Sequence, residues 1–97
     1  MRERDIEKHL VRRVKELGGE VRKVQWIGRR GAPDRLVMVP HGPRGGRNSS
    51  IKTFFVELKA PGKKPEPHQA REHRRMRDMG QNVVVIDSVD AVEALLS

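Results

Sequence analysis

Asp34, Glu57 and Lys59 are the residues whose types and placement could do chemistry in this 97-residue chain. Glu57 sits in FFVELK, an acidic residue inside an apolar run. In strand alternation Phe55, Glu57 and Lys59 share one face, and Phe54, Val56 and Leu58 share the other. A lone carboxylate among apolar neighbours is costly to bury, and a metal, a lysine partner or hydration would offset that cost. Asp34 stands where the turn-forming stretch GRRGAP (28–33) enters a second apolar run. If the two runs pair as a hairpin, Asp34 lies beside Glu57 at one edge. Two carboxylates there form a hard oxygen site suited to Mg²⁺ or Mn²⁺. Such an ion orients a water, lowers its pKa and stabilises charge on a phosphate. Lys59 would position that water or neutralise the charge of the transition state.

The elements that must hold these residues are legible as periodicities. Ile6, Leu10, Val14 and Leu17 recur at helical spacing, so 3–17 reads as an amphipathic helix ended by Gly18-Gly19. EVRKVQWI (20–27) reads as a first strand, DRLVMVP (34–40) as a second and KTFFVELK (52–59) as a third. Only loop separates the second and third, so they form an antiparallel hairpin. The loop, HGPRGGRNSS (41–50), is rich in Gly, Ser and Arg and is expected to be mobile. APGKKPEP (60–67) is a second basic loop. Residues 67–79 read as a basic helix, thinly apolar at Ala70, Met76 and Met79. NVVVID (82–87) is almost wholly apolar and suits a sheet centre covered on both faces. Ser88 caps a last helix bearing Val89, Val92, Leu95 and Leu96. The order is α-β-β-β-α-β-α, within one domain spanning 1–97.

Composition narrows the function. The net charge is +8, from 21 Lys and Arg against 13 Asp and Glu, which points to a polyanion. With one Trp and no Tyr, base stacking is not the main source of affinity. The absence of Cys excludes disulfides, thiolate catalysis and thiolate-ligated zinc. His9, His41, His68 and His73 lack the spacing of a zinc site and are expected at the surface or facing DNA, with His68 in place to contact phosphate. Apolar runs fall short of the roughly 18 residues of a membrane span. The charged start MRERDIEKH is unlike a signal peptide, so a cytoplasmic protein is expected.

Singly, an Asp after Pro is ordinarily a turn residue and an E-x-K an exposed ion pair. Their joint arrangement is what carries weight. Arg29-Arg30-Gly31-Ala32-Pro33-Asp34-Arg35, then Phe55-Val56-Glu57-Leu58-Lys59-Ala60-Pro61-Gly62, then Gln69 on a basic helix, resembles the VRR-NUC domain of the PD-(D/E)XK nuclease superfamily. The resemblance covers nearly the whole chain. It implies a restriction-endonuclease-like α/β fold, a mixed sheet flanked by helices. It also implies that Asp34 and Glu57 hold the divalent metal, that the Leu58 carbonyl completes its shell, that Lys59 is catalytic and that Gln69 supports it. An acidic residue from the first helix joins them. Family spacing fits Glu3, which falls near the middle of the apolar stripe, an odd place for a charge unless it faces a site. Glu7, one turn on, is the alternative.

Basic residues flank this site: Arg29, Arg30 and Arg35 before it, and Lys63, Lys64, Arg71, Arg74, Arg75 and Arg77 after it, with Arg44 and Arg47 in the 41–50 loop. The clusters suit duplex backbones crossing a cleft without base readout. The resemblance further implies a structure-selective endonuclease similar to Holliday junction resolvases, which act as homodimers. A two-fold dimer matches a two-fold junction. Helix 67–79 and the final helix are the interfaces to consider. The competing readings are a non-catalytic DNA-binding module and a sequence-selective enzyme on the same fold.

Overall fold

Apolar spacing gives way to a three-layer arrangement in the computed structural model, which describes residues 1–41 and 50–97. The elements are α1 (Glu3–Glu16), β1 (Glu20–Lys23), β2 (Arg35–His41), β3 (Ser50–Leu58), α2 (Pro67–Asp78), β4 (Val83–Ile86) and α3 (Val89–Leu96). This is the α-β-β-β-α-β-α order expected. The 41–50 loop falls, apart from its two end residues, outside the described residues, and Arg44 and Arg47 with it.

The sheet runs β1-β2-β3-β4. β1 and β2 pair antiparallel, as do β2 and β3, while β3 and β4 pair parallel. Mixed pairing follows from the connections: a hairpin joins β2 to β3, and α2 supplies the crossover that a parallel partner requires. Arg35 stands opposite Val56 and Val37 opposite Phe54. One further step of that register sets Asp34 across from Glu57.

Alternation then sorts the sheet into two faces. Val37, Val39, Val56, Leu58 and Ile86 join Ile6, Leu10 and Val14 of α1 and Val92 of α3 in one buried cluster. The opposite face carries Phe55, Glu57 and Lys59, and α2 lies over it, burying Glu72, His73 and Met76. Ala70 and Met79, expected as the apolar face of α2, are exposed instead, Met79 by 65%. α2 therefore packs through the polar Glu72 and His73 together with Met76.

Two expectations need correction. β1 ends at Lys23 rather than Ile27. After Val24 donates to the Asp34 carbonyl at 2.9 Å, the chain turns away and Ile27 is 93% exposed. β4 is an edge strand, not a central one. Its apolar run does mean cover on both faces, with Val83 and Ile86 buried. Such cover says nothing about whether the backbone edge is paired. No helix among the described residues is long and apolar enough to cross a membrane.

Candidate active site

The loop before β2 is pinned from two sides, and this fixes Asp34. Gly31 has φ +87, and a Cβ there would meet the His68 carbonyl oxygen at 2.8 Å and the Gln69 Cα at 3.1 Å. Only glycine allows both the left-handed backbone and that approach to α2. On the other side Trp26 Nε1 donates to the Pro33 carbonyl at 2.8 Å, and the indole lies 5.6 Å from the Phe55 ring. Arg29 pairs with the buried Glu72 of α2. Asp34 is left exposed at the mouth of a recess of about 140 Å³, lined by Glu3, Arg4, Glu7, Asp34, Arg35, Glu57 and Leu58.

Within the recess the charges are unevenly matched. Arg35, only 14% exposed, pairs with Glu7 and sits 2.9 Å from Asp34 Oδ1. It bridges α1 and the start of β2, so the guanidinium expected to contact DNA is paired within the protein in this structure. The same pair separates the two helix candidates. Glu7 is taken by Arg35, whereas Glu3 is exposed and has no side-chain partner among the described residues.

Glu57 is 8% exposed. Burial pushes its carboxyl up to about 7, Lys59 opposes that shift, and the negative charges of Asp34 and Glu3 add to it. Lys59 does not close on Glu57 as an ion pair. Its Nζ donates instead to Gln69 Oε1 at 2.8 Å, and the same oxygen accepts the Glu66 backbone N–H at 2.8 Å. Gln69 thereby caps α2 and holds the lysine ammonium at once.

His73 departs from expectation. It is 1% exposed, on the inner face of α2, with Nε2 3.4 Å from Glu57 Oε1. Burial holds its pKa below the ordinary value, Arg77 and Lys59 add to that, and Glu72 opposes it. A signal for this was present: Gln69, His73 and Met76 fall at i, i+4 and i+7, one helical stripe. His9 is also no plain surface residue, because its Nε2 lies 2.9 Å from Glu93 of α3. His68 is half-buried and lines a recess with Arg29, Arg30, Arg71, Glu72 and Arg75.

The donor set suits a hard divalent cation in its chemistry. Asp34, Glu57 and the Leu58 backbone meet in one recess, with Glu3 at its rim. A buried carboxylate without a cation on it is the observation that fits best. Among the described residues no three acidic or histidine side chains stand close enough to form a ready-made cage. Of the expected DNA contacts, Arg30, Lys63, Lys64, Arg71, Arg74 and Arg75 are exposed and His68 is half-buried, while Arg29 and Arg35 are engaged within the protein.

No family model matches the chain. It is 50% identical over 90 residues to "Putative nuclease p44" of Acyrthosiphon pisum secondary endosymbiont phage 1, a match covering 93% of this chain and 87% of that protein. It also superposes on a solved structure described as a VRR_NUC domain, with a TM-score of 0.77 and 43% identity over 97% of this chain and 92% of that one. Identity of this order over nearly the full length of both partners is not produced by a shared fold alone, and the chain belongs to the VRR-NUC nuclease family.

Proposed function

We propose that this chain is a Mg²⁺- or Mn²⁺-dependent DNA endonuclease that recognises DNA structure. The observation that carries the reading is Glu57, buried beside Asp34 with no lysine or arginine ion-paired to it among the described residues. Asp34, Glu57 and the Leu58 carbonyl would hold the ion, with Glu3 rather than Glu7 as the helix residue. A bound divalent ion supplies a more acidic water and screens charge on the phosphate. The chain's own residues do the rest. Lys59, held by Gln69, presents an ammonium where negative charge grows on the phosphate oxygens or where the attacking water must be oriented. Arg35 keeps Asp34 in place and tempers the repulsion among the carboxylates. The exposed Arg30, Arg71, Arg74 and Arg75, with Lys63 and Lys64, provide backbone contacts that do not read bases.

The preferred substrate in this reading is a four-way (Holliday) junction, cut by a homodimer. Two symmetric incisions need two sites related by a two-fold axis. An apolar recess formed by Trp26, Phe55, Met76 and Met79 on the α2 side offers area for a second copy to bury. Labelled junction, flap and linear DNA incubated with Mg²⁺, Mn²⁺ or EDTA test the proposal. Cleavage is expected with metal only and strongest on the junction. Absence of cleavage on all three substrates sinks the enzyme reading, and equal cutting of linear duplex sinks the junction preference. A species that remains monomeric at micromolar concentration removes the dimer.

A further inference from the structure

We propose that His73 is a positioning residue for Glu57, its buried Nε2 fixing the carboxylate in the recess that also holds Asp34. This rests on the metal-dependent reading above. His73 Nε2 is the one buried side-chain nitrogen or oxygen, among the described residues, that lacks a hydrogen-bond partner. Unsatisfied buried polar atoms are few in folded proteins and call for an explanation. The nearby groups cannot supply one. Arg77 is spent on the Val83 carbonyl, at 3.1 and 2.9 Å. Glu72 is spent on Arg29. Lys59 is spent on Gln69. What remains is Glu57 Oε1 at 3.4 Å, a few tenths of an ångström beyond a normal N–H···O bond.

The placement follows from the two repeat lengths. Glu57 lies on β3 and Lys59 two residues on, just past the strand's end, about 6.7 Å along an extended chain. Gln69 and His73 lie four residues apart on α2, about 6 Å along a helix. One face of α2 thus addresses both residues of the E-x-K pair: Gln69 takes Lys59, and His73 takes Glu57. The Lys59 contact is already closed in this structure. The Glu57 contact is a few tenths of an ångström from closing, with the imidazole presenting its proton on Nε2. Groups that orient metal-binding carboxylates in this way strengthen metal affinity about 10- to 100-fold.

The test compares the parent chain with His73→Leu and His73→Gln. Mn²⁺ binding is measured by electron paramagnetic resonance without DNA, and thermal unfolding is measured in EDTA. His73→Leu removes an unsatisfied polar atom, so its metal-free Tm is expected at or above that of the parent. Its Mn²⁺ affinity is expected to fall about 10- to 100-fold. His73→Gln restores an amide N–H near the Nε2 position and is expected to recover most of that loss. A folded His73→Leu that binds Mn²⁺ as tightly as the parent overturns the proposal and leaves the metal reading standing. A parent that binds no Mn²⁺ removes both. Imidazole ¹⁵N spectra of the unmodified protein decide the matter if the variants do not fold. Mg²⁺ is expected to give a protonated Nε2 with its proton moved downfield, and an unprotonated Nε2 in the Mg²⁺ form overturns the proposal.

Discussion

Glu57 and Glu72 are equally shielded, each 8% exposed, yet their surroundings differ in kind. Glu72 lies on α2 and receives the Arg29 guanidinium from the loop before Asp34. That hydrogen bond, with the attraction of Arg29, holds its carboxyl below the ordinary value. Glu57 lies on β3 among potential cations that are all turned elsewhere: Lys59 to Gln69, Arg35 to Glu7 and Asp34. Its carboxyl rises to about 7, first through burial. A compensated buried carboxylate closes a seam between a loop and a helix. An uncompensated one is held at a cost in stability, and such sites are where binding or catalysis is found.

The sharpest way to break this contrast is Glu57→Gln. Cleavage of junction DNA in Mg²⁺ is expected to fall by more than about 10³-fold, since the metal reading loses a ligand rather than a single hydrogen bond. The variant should unfold at the same temperature as the parent or higher at pH 8, because an unpaired buried charge has gone. Single-turnover cleavage and a thermal melt check both halves. Retained cutting would mean that Glu57 is only an awkward core residue. Glu72→Gln should do the reverse, lowering Tm while cutting continues.

Lys59→Met comes next. The ammonium acts on developing charge, so the single-turnover rate should drop about 10²- to 10³-fold. Mn²⁺ affinity should hardly change, because Lys59 is bonded to Gln69 and not to the carboxylate. A large loss of metal affinity would show instead that the lysine organises the recess.

Stability against pH distinguishes the two glutamates with opposite signs. The folded-state value of Glu57 is raised from 4.5 to about 7, so the folded form binds the proton more tightly than the unfolded one. Its contribution is complete below pH 4.5 and is lost as pH climbs through 7. That window is worth about 2 to 3 kcal/mol. The folded-state value of Glu72 is lowered, so its contribution is present above 4.5 and is lost as pH falls through the folded value. Urea unfolding in EDTA between pH 3 and 8 should show both limbs. Glu57→Gln should flatten only the neutral limb, and Glu72→Gln should reduce only the acid one, which Asp5, Glu16 and Glu93 also feed.

Much of the site was legible in the sequence because local rules govern it. Strand alternation assigned Glu57 and Lys59 to one face, and the short connection made the hairpin that faces Asp34. The Gly-Pro loop marked where β2 begins. What escaped was decided by partners distant in the chain. Arg29 and Arg35 look alike beside Asp34, yet Glu72 engages one and Glu7 the other. Periodicity alone does not reveal an ion pair across 43 or 28 residues. A histidine in a basic helix reads as solvent-facing, and of the stripe that His73 shares with Gln69 and Met76 only Met76 is apolar. β4 misled in another way: its apolar residues recorded cover by helices, while its edge position depends on what the chain places beside β3.

The smallest effect separates paired arginines from unpaired ones. Arg29 is committed to Glu72, whereas Arg74 is exposed on α2 with no side-chain partner among the described residues. A cation that meets a phosphate releases counterions, so each such contact contributes about one unit to the slope of log affinity against log salt. Arg74→Gln should reduce that slope by about 1 and weaken binding about equally on junctions of different sequence. Arg29→Gln should leave the slope nearly unchanged and lower Tm, because the lost interaction lies inside the protein. Salt titrations of junction binding in EDTA, read with melts of the same variants, check the pair. If Arg29→Gln changes the slope as much as Arg74→Gln does, the guanidinium leaves Glu72 for DNA, and the seam between loop and helix is also part of the substrate surface.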